Sequence, residues 1–386
     1  MLQASEAAGP GGASQDIVVV GAGIIGLASA LELAERGYGV TVVDPGRRQG
    51  ISSWTGGGIL SPLYPWRMDP AVNQLARRSQ QLFPDLCHRM QEQVGVDPEL
   101  RELGMIYADF PSRAPVNKEQ AREWGREQGV EVRDLDGDEL VQAEPEISPV
   151  AESGLRLPGV AWIRTPRFMR GLFRLAHQAG VTLLDGTTVL NLRREDGAIR
   201  GVETDAGPVQ AERVVMAAGP WSAGLLDRVG VELPVRPVKG AMLLLEGRRS
   251  VLGQLVMAGR HYLIPRADNR LLVGSTLEET GFDARTSLGA VRALAQAAVE
   301  LVPETANLEL ETYWAGLRHA RPDDRHFIGA IPGLAGLYVN TGHFRNGVVQ
   351  ALASAEVLAA TLTGEESPVD VEPFAPDREI PDSEPG

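Results

Sequence analysis

Residues 16–44 read DIVVVGAGIIGLASALELAERGYGVTVVD, and their order decides the fold. Asp16 to Val20 is a short apolar run that meets Gly21. Ile24 to Arg36 sets Ile25, Leu27, Leu31 and Leu33 among alanines in a helical pattern, and Gly37 supplies the stop. Val40 to Val43 is a second apolar run, ending at Asp44-Pro45-Gly46. Strand, helix and strand in this succession make a parallel sheet. Within the unit, Gly21-Ala22-Gly23-Ile24-Ile25-Gly26 is a GxGxxG that follows a strand and opens a helix. Gly21 permits the tight turn, Gly23 lets a pyrophosphate approach the backbone, and Gly26 lets the helix close on the strand. The helix start then offers free N–H groups and partial positive charge. Asp44, eighteen residues past Gly26, stands where it can accept from a ribose hydroxyl. The stretch therefore predicts a dinucleotide site.

The motif alone does not separate NAD from FAD. Two later segments favour a flavin bound along its length, although each also reads as an ordinary surface loop. Ser52-Ser53 and Gly57-Gly58 sit in an aperiodic stretch, Gln49 to Trp66, suited to wrapping a pyrophosphate and ribityl chain. Gly342 to Gly347 precedes a final helix over Val348 to Leu362.

Outward from these segments, Asp69 to about Glu144 reads as mainly helical and polar. Thr165-Pro166 opens the next helix with threonine as N-cap, and Gly180 closes it. Strands follow over Val181–Leu184, Thr188–Leu192, Ile199–Thr204 and Arg213–Ala217. Met242–Leu245, Tyr262–Pro265 and Arg270–Gly274 read as an antiparallel sheet, followed by a helix over Leu288–Leu301 and a strand over Leu337–Asn340. Met1 to Gln15 reads as a disordered tail without the basic region or apolar run of a secretory signal. The acidic, proline-rich segment after Gly364 reads as a frayed end.

The 386 residues are 43% hydrophobic and carry a formal net charge of -14. Such a chain buries a large core, and its sign excludes a polyanion such as nucleic acid as partner. No run approaches the roughly 18 apolar residues of a membrane span, so the expected compartment is the cytoplasm. The lone cysteine, Cys87, lies in a helical pattern (Leu75 to Gln93) and reads as a partly buried apolar residue. No metal-ligand spacing and no paired-carboxylate dyad is present, so no metal is assigned.

The chain resembles the D-amino-acid oxidase family of FAD-dependent oxidoreductases, and within it the thiamine-biosynthesis type of glycine oxidase. The likeness runs from Asp16 to about Pro376. It rests on VVVGAGIIGLASALELAERG (Val18 to Gly37), SSWTGGGILSPLYPW (Ser52 to Trp66), VVMAAGPWS (Val214 to Ser222), PVKGAM (Pro237 to Met242), YLIPR (Tyr262 to Arg266), LLVGSTLEETGFD (Leu271 to Asp283), WAGLR (Trp314 to Arg318) and GHFRNG (Gly342 to Gly347). It implies an α/β fold in which a Rossmann-like FAD domain (16–73, 150–236 and 317–364) is interleaved with a mixed-sheet α+β substrate domain (74–149 and 237–316). It implies non-covalent FAD on Gly21, Gly23, Ile24, Ile25, Gly26, Asp44, Pro45, Ser52, Ser53, Gly57, Gly58, Ile59, Val189, Gly219 and the run His343, Phe344, Arg345, Asn346, Gly347, Val348 and Val349.

The same resemblance assigns the substrate carboxylate to Arg318, with Arg345 and Tyr262 assisting. It implies oxidation of glycine, sarcosine or a D-amino acid by oxygen, supply of the glycine imine for thiamine thiazole synthesis, and a homo-oligomer, a tetramer in the family. Three positions depart from the family pattern. His319 replaces a proline, Ala241 a glutamine, and Leu352 a proline. The residues themselves are compatible with this chemistry and also with plainer roles. A guanidinium grips a carboxylate in a bidentate fork, yet an isolated arginine is more often an ion-pair residue. Tyr262 also reads as a core-edge aromatic, His343 as a base or a packed ring, and Glu278-Glu279 as a solvated turn. A D-amino-acid dehydrogenase delivering electrons to a quinone is the alternative reading.

Overall fold

The computed structural model describes residues 15–46, 50–323 and 325–380. The strand Gln15–Val20 pairs in parallel with Val40–Asp44 on one side and with Gly207–Met216 on the other. Thr182–Asp185 and Leu337–Thr341 extend this parallel core at its two sides. Ala198–Thr204 and Val189–Glu195 add an antiparallel flap, and Phe327–Ala330 pairs with Leu337–Thr341 to complete eight strands. Alternation explains the unbroken valines. Ile17 and Val19 enter the core beneath the helices Ile24–Glu35, Pro70–Val94, Thr165–Gln178 and Ala351–Thr363, while Val18 and Val20 enter a second core on the other face.

A nine-stranded mixed sheet stands beside it. Its order is Gly50–Ile51, Glu309–Ala320, Arg236–Glu246, Arg270–Gly274, His261–Pro265, Leu255–Ala258, Met105–Asp109, Ser153–Leu157 and Arg133–Asp136. One face packs on the helix Leu288–Leu301, which Ser287 caps through Ala290 N–H at 3.1 Å. The other face carries Met242, Tyr262 and Ile264, and Trp66 belongs to the core packed on it.

Several expectations are corrected. The segment 69–144 is helical over Pro70–Val94, Lys118–Gln128 and Gly137–Ala143, the larger part of its length, but not throughout. It holds the strand Met105–Asp109, whose first four residues are buried and which pairs in parallel with Leu255–Ala258. The aperiodic stretch after Gln49 contains a short helix, Ser52–Thr55. Thr165 does not cap its helix, because its Oγ1 donates to Gly56 O at 2.8 Å and Arg164 is the residue at the cap. The final helix begins at Ala351, three residues later than the sequence suggests. The segment after Gly364 is docked as far as residue 380. Val369 and Phe374 are buried, and Arg378 pairs with Asp323 at 3.1 Å. The expected tail over residues 1–14 and the last six residues, 381–386, lie outside the described residues.

Candidate active site

The GxGxxG turn has the shape its spacing demands. Gly21 takes φ +108, and a Cβ there would stand 2.6 Å from Ala217 O. A Cβ on Gly26 would lie 1.9 Å from Gly21 O, so only glycine lets the helix approach the strand. The helix start has no side-chain cap of its own. Instead Ser53 Oγ accepts from Ile24 N at 2.9 Å, which draws the 52–55 helix against the dinucleotide turn. Asp44 accepts from Ala22 N and Gly46 N, both at 2.8 Å, one bond per carboxylate oxygen. It thus holds both the glycine turn and the strand end while still facing the cavity.

Two cavities meet at this point. The larger, about 450 Å³, runs past Gly21, Gly23, Asp44, Pro45, Val189 and Gly219. The smaller, about 100 Å³, is walled by Gly57, Gly58, Ile59, Tyr262, Arg318, Phe344, Arg345, Gly347 and Val348. Ile24, Ile25, Ser52, Ser53 and His319 line both and form their junction. Gly26, His343, Asn346 and Val349 line neither. His343 is fully buried with its ring 4.3 Å from His326 in a stacked pair, so its side chain is a packing element and not a base.

Arg318 comes from the end of the strand Glu309–Ala320, opposite Val238 of the neighbouring strand. Nη1 donates to Thr276 O at 3.3 Å, and among the described residues it has no carboxylate partner. Burial lowers its pKa from the ordinary arginine value, and the Tyr262 phenol beside it partly opposes the shift. Tyr262 is 5% exposed, with its hydroxyl 3.6 Å from Met242 Sδ. Arg345 is exposed, with its guanidinium 5.4 Å above the Phe344 ring. Among the described residues lining the smaller cavity there is no aspartate or glutamate. The cavity is therefore electropositive and suited to a small carboxylate.

Several contributors escaped the sequence reading. Arg266 is buried and donates to Gly57 O at 2.8 Å and Ile163 O at 3.0 Å, so it fixes the glycine loop that walls the smaller cavity. Burial pushes its pKa down to about 10. Glu278 is not a solvated turn residue, because it pairs with the 3%-exposed Lys239 at 3.1 Å. The lysine inside the apolar PVKGAM run was the available signal, since a buried ammonium needs a partner. The Ala241 and Leu352 departures are small buried surfaces away from both cavities, whereas His319 lies at their junction.

A parallel sheet with a glycine-built helix start, a long cavity along it, and an arginine-lined pocket that meets the cavity define a flavin-type oxidoreductase. The residues fit FAD. The turn leaves no room for a Cβ at Gly21 or Gly26, the N-cap residue Gly23 puts no side chain over the helix start, and the buried Asn340 Oδ1 on the larger cavity has no partner among the described residues.

Residues 16–361 match the family of FAD dependent oxidoreductases designated DAO. The chain belongs to that family. It is 40% identical to a glycine oxidase of Pseudomonas aeruginosa over 94% of this chain and 99% of that protein. It is 30% identical to the bifunctional protein ThiO/ThiG of Trichormus variabilis over 92% of this chain and 53% of that longer protein. The crystal structure of glycine oxidase from Geobacillus kaustophilus superposes with a TM-score of 0.88 at 30% identity, covering 95% of this chain and 99% of that one. The chain is an FAD-dependent amine oxidase. Among the described residues no helix is long and apolar enough to cross a membrane.

Proposed function

We propose that this enzyme oxidises glycine, with sarcosine and small D-amino acids as further candidates, to the imine that hydrolyses to the oxo acid and ammonia. One observation carries the reading. Arg318 stands without a carboxylate partner among the described residues, in a small cavity that opens onto the dinucleotide cavity. A fork of guanidinium N–H groups fixes the substrate by its carboxylate, with the Tyr262 hydroxyl and Arg345 at the same end. Fixing that end presents Cα and the amine toward the junction, where Ile24, Ile25 and the 52–58 loop exclude water. No side chain in the cavity is needed as a strong base once the substrate enters as the free amine. Bound FAD would supply a two-electron acceptor for the Cα hydride and return the electrons to oxygen as hydrogen peroxide.

The FAD-binding unit then comprises 16–73, 150–236 and 317–364, except that Gly50–Ile51, Ser153–Leu157 and the end of the strand Glu309–Ala320 join the sheet of the substrate unit, 74–149 and 237–316. FAD is held without a covalent bond, since Cys87 is buried in the helix Pro70–Val94 and lines neither cavity. Supply of the glycine imine for thiamine thiazole synthesis, a cytoplasmic setting and a homo-oligomeric, tetrameric assembly complete the reading. An anaerobic flavin-reduction screen over glycine, sarcosine, D-alanine and D-proline tests it, with oxygen uptake measured alongside. Glycine is expected to bleach the flavin and to drive peroxide formation. Reduction by glycine without oxygen uptake would replace the oxidase with a dehydrogenase.

A further inference from the structure

His319 departs from the family pattern and lies at the junction of the two cavities. Its surroundings fix both its orientation and its tautomer. The main-chain N–H of Gly342 donates to His319 Nδ1 at 2.8 Å, and Phe344 N–H donates to the His319 carbonyl at 3.2 Å. A ring nitrogen that accepts from a backbone amide carries no proton, so in the neutral imidazole the proton is on Nε2. The ring is neutral, because burial and the nearby Arg321 guanidinium hold its pKa down to about 3. Nε2 has no partner among the described residues and is not sealed in the interior. The residue's remaining 7% of accessible surface opens on the junction.

We propose that His319 Nε2–H donates a hydrogen bond to the flavin ring system at this junction and thereby sets how strongly the protein favours reduced over oxidised cofactor. A flavin ring presents acceptor oxygens and nitrogens along most of its polar edge, and these gain electron density on reduction. A donor held there by two backbone bonds stabilises the reduced form more than the oxidised one, as a preorganised dipole does wherever charge develops. A proline at this position offers no donor. The inference rests on the reading of the larger cavity as an FAD site and adds a cofactor contact to it.

Two variants of the FAD-loaded enzyme separate the two ends of the ring. His319→Asn keeps an acceptor for Gly342 N–H but does not reach the junction, whereas His319→Gln can place an amide N–H near the position of Nε2. The midpoint potential and the visible spectrum of each holoenzyme are read, independently of turnover. His319→Asn is expected to lose roughly tenfold in relative affinity for the reduced flavin, about 30 mV more negative for a two-electron couple. His319→Gln is expected to recover part of that shift. Potentials and spectra equal to the parent's in both variants would overturn the proposal. If the variants lose FAD, nitrogen-15 histidine spectra of the parent holoenzyme decide. One exchange-protected Nε2–H that shifts on flavin reduction is expected, and its absence overturns the proposal. A parent protein that takes up no FAD would instead refute the cofactor reading, and that is established first.

Discussion

Gly240 lies directly beneath the guanidinium of Arg318, so closely that a Cβ built on it would stand 1.9 Å from Nη1 and 2.3 Å from Cζ. The two residues belong to adjacent strands, and the absence of a side chain at 240 lets the arginine lie flat in the cavity. Gly240→Ala should therefore displace the guanidinium without removing its charge. The displaced atoms are the end of a flexible side chain, so the fold should survive. Misplacement of a binding group by about 1 Å costs on the order of a hundredfold in rate. The variant is expected to bind FAD normally and to lose kcat/KM for glycine on that scale. Unchanged steady-state kinetics would show that the carboxylate is held elsewhere.

Arg318→Ala removes the fork itself. Breaking a buried ion pair by deleting one partner costs about 3–5 kcal/mol, a factor of hundreds or more in kcat/KM. Arg318→Lys should recover only part, because a point charge does not reproduce two parallel bonds. Glycine amide and ethylamine should be poor substrates of the parent and nearly indifferent to the change. If Arg318→Ala oxidises glycine as the parent does, Arg345 is the next residue to test.

Asp44 ties Ala22 N and Gly46 N to the end of the second strand and faces the larger cavity. Loss of a charged hydrogen bond to a ribose would weaken FAD binding by roughly 1.5–3 kcal/mol in Asp44→Ala. Flavin-fluorescence titration measures it directly. An unaltered FAD dissociation constant would remove Asp44 from the cofactor site and leave it a purely structural role.

His319, His326 and His343 are all buried, and their pKa values lie below the ordinary histidine value chiefly through burial, His319 at about 3. The unfolded chain takes up these protons near pH 6.5 and the folded chain does not. Stability from this source is thus complete above about pH 6.5 and is lost as pH falls toward the folded values. Each histidine that is protonated only on unfolding contributes a slope of about 1.4 kcal/mol per pH unit within that window. In His343→Phe one such group is gone, and the ring stacked on His326 is kept. Urea unfolding of the FAD-loaded proteins between pH 7 and pH 5 should show a shallower loss in the variant. Parallel pH profiles would mean that His343 is not neutral in the fold.

Those parts of the molecule were legible in which local chemistry and fold agree. The dinucleotide turn carries its glycines, helix start and flanking strands within thirty residues, and the helix Leu288–Leu301 has its cap and apolar period side by side. The strand Met105–Asp109 was missed because its partners, Leu255–Ala258 and Ser153–Leu157, are remote in sequence, and Gly104 and Pro111-Ser112 at its ends lead to no adjacent partner strand. Likewise Phe374 sits in an acidic, proline-rich segment, and only tertiary contact with His326, 5.3 Å between rings, reveals its burial. Arg318 and Tyr262, which the motifs single out, both line the smaller cavity. Arg266 supports the same loop through two carbonyls far away in sequence, a contact that no local pattern encodes.

The pairing of Gln15–Val20 with Gly207–Met216, and of that strand with Leu337–Thr341, has a consequence for the nascent chain. The glycine turn leaves the ribosome some two hundred residues before the Ala217 backbone that closes on it. The helix Ala351–Thr363, which packs on the helix of the turn, is made later still. Such non-local pairing is slow to form. Cofactor capture therefore waits for these distant segments, and until they arrive the valine-rich strand Gln15–Val20 depends on whatever shields it from other chains.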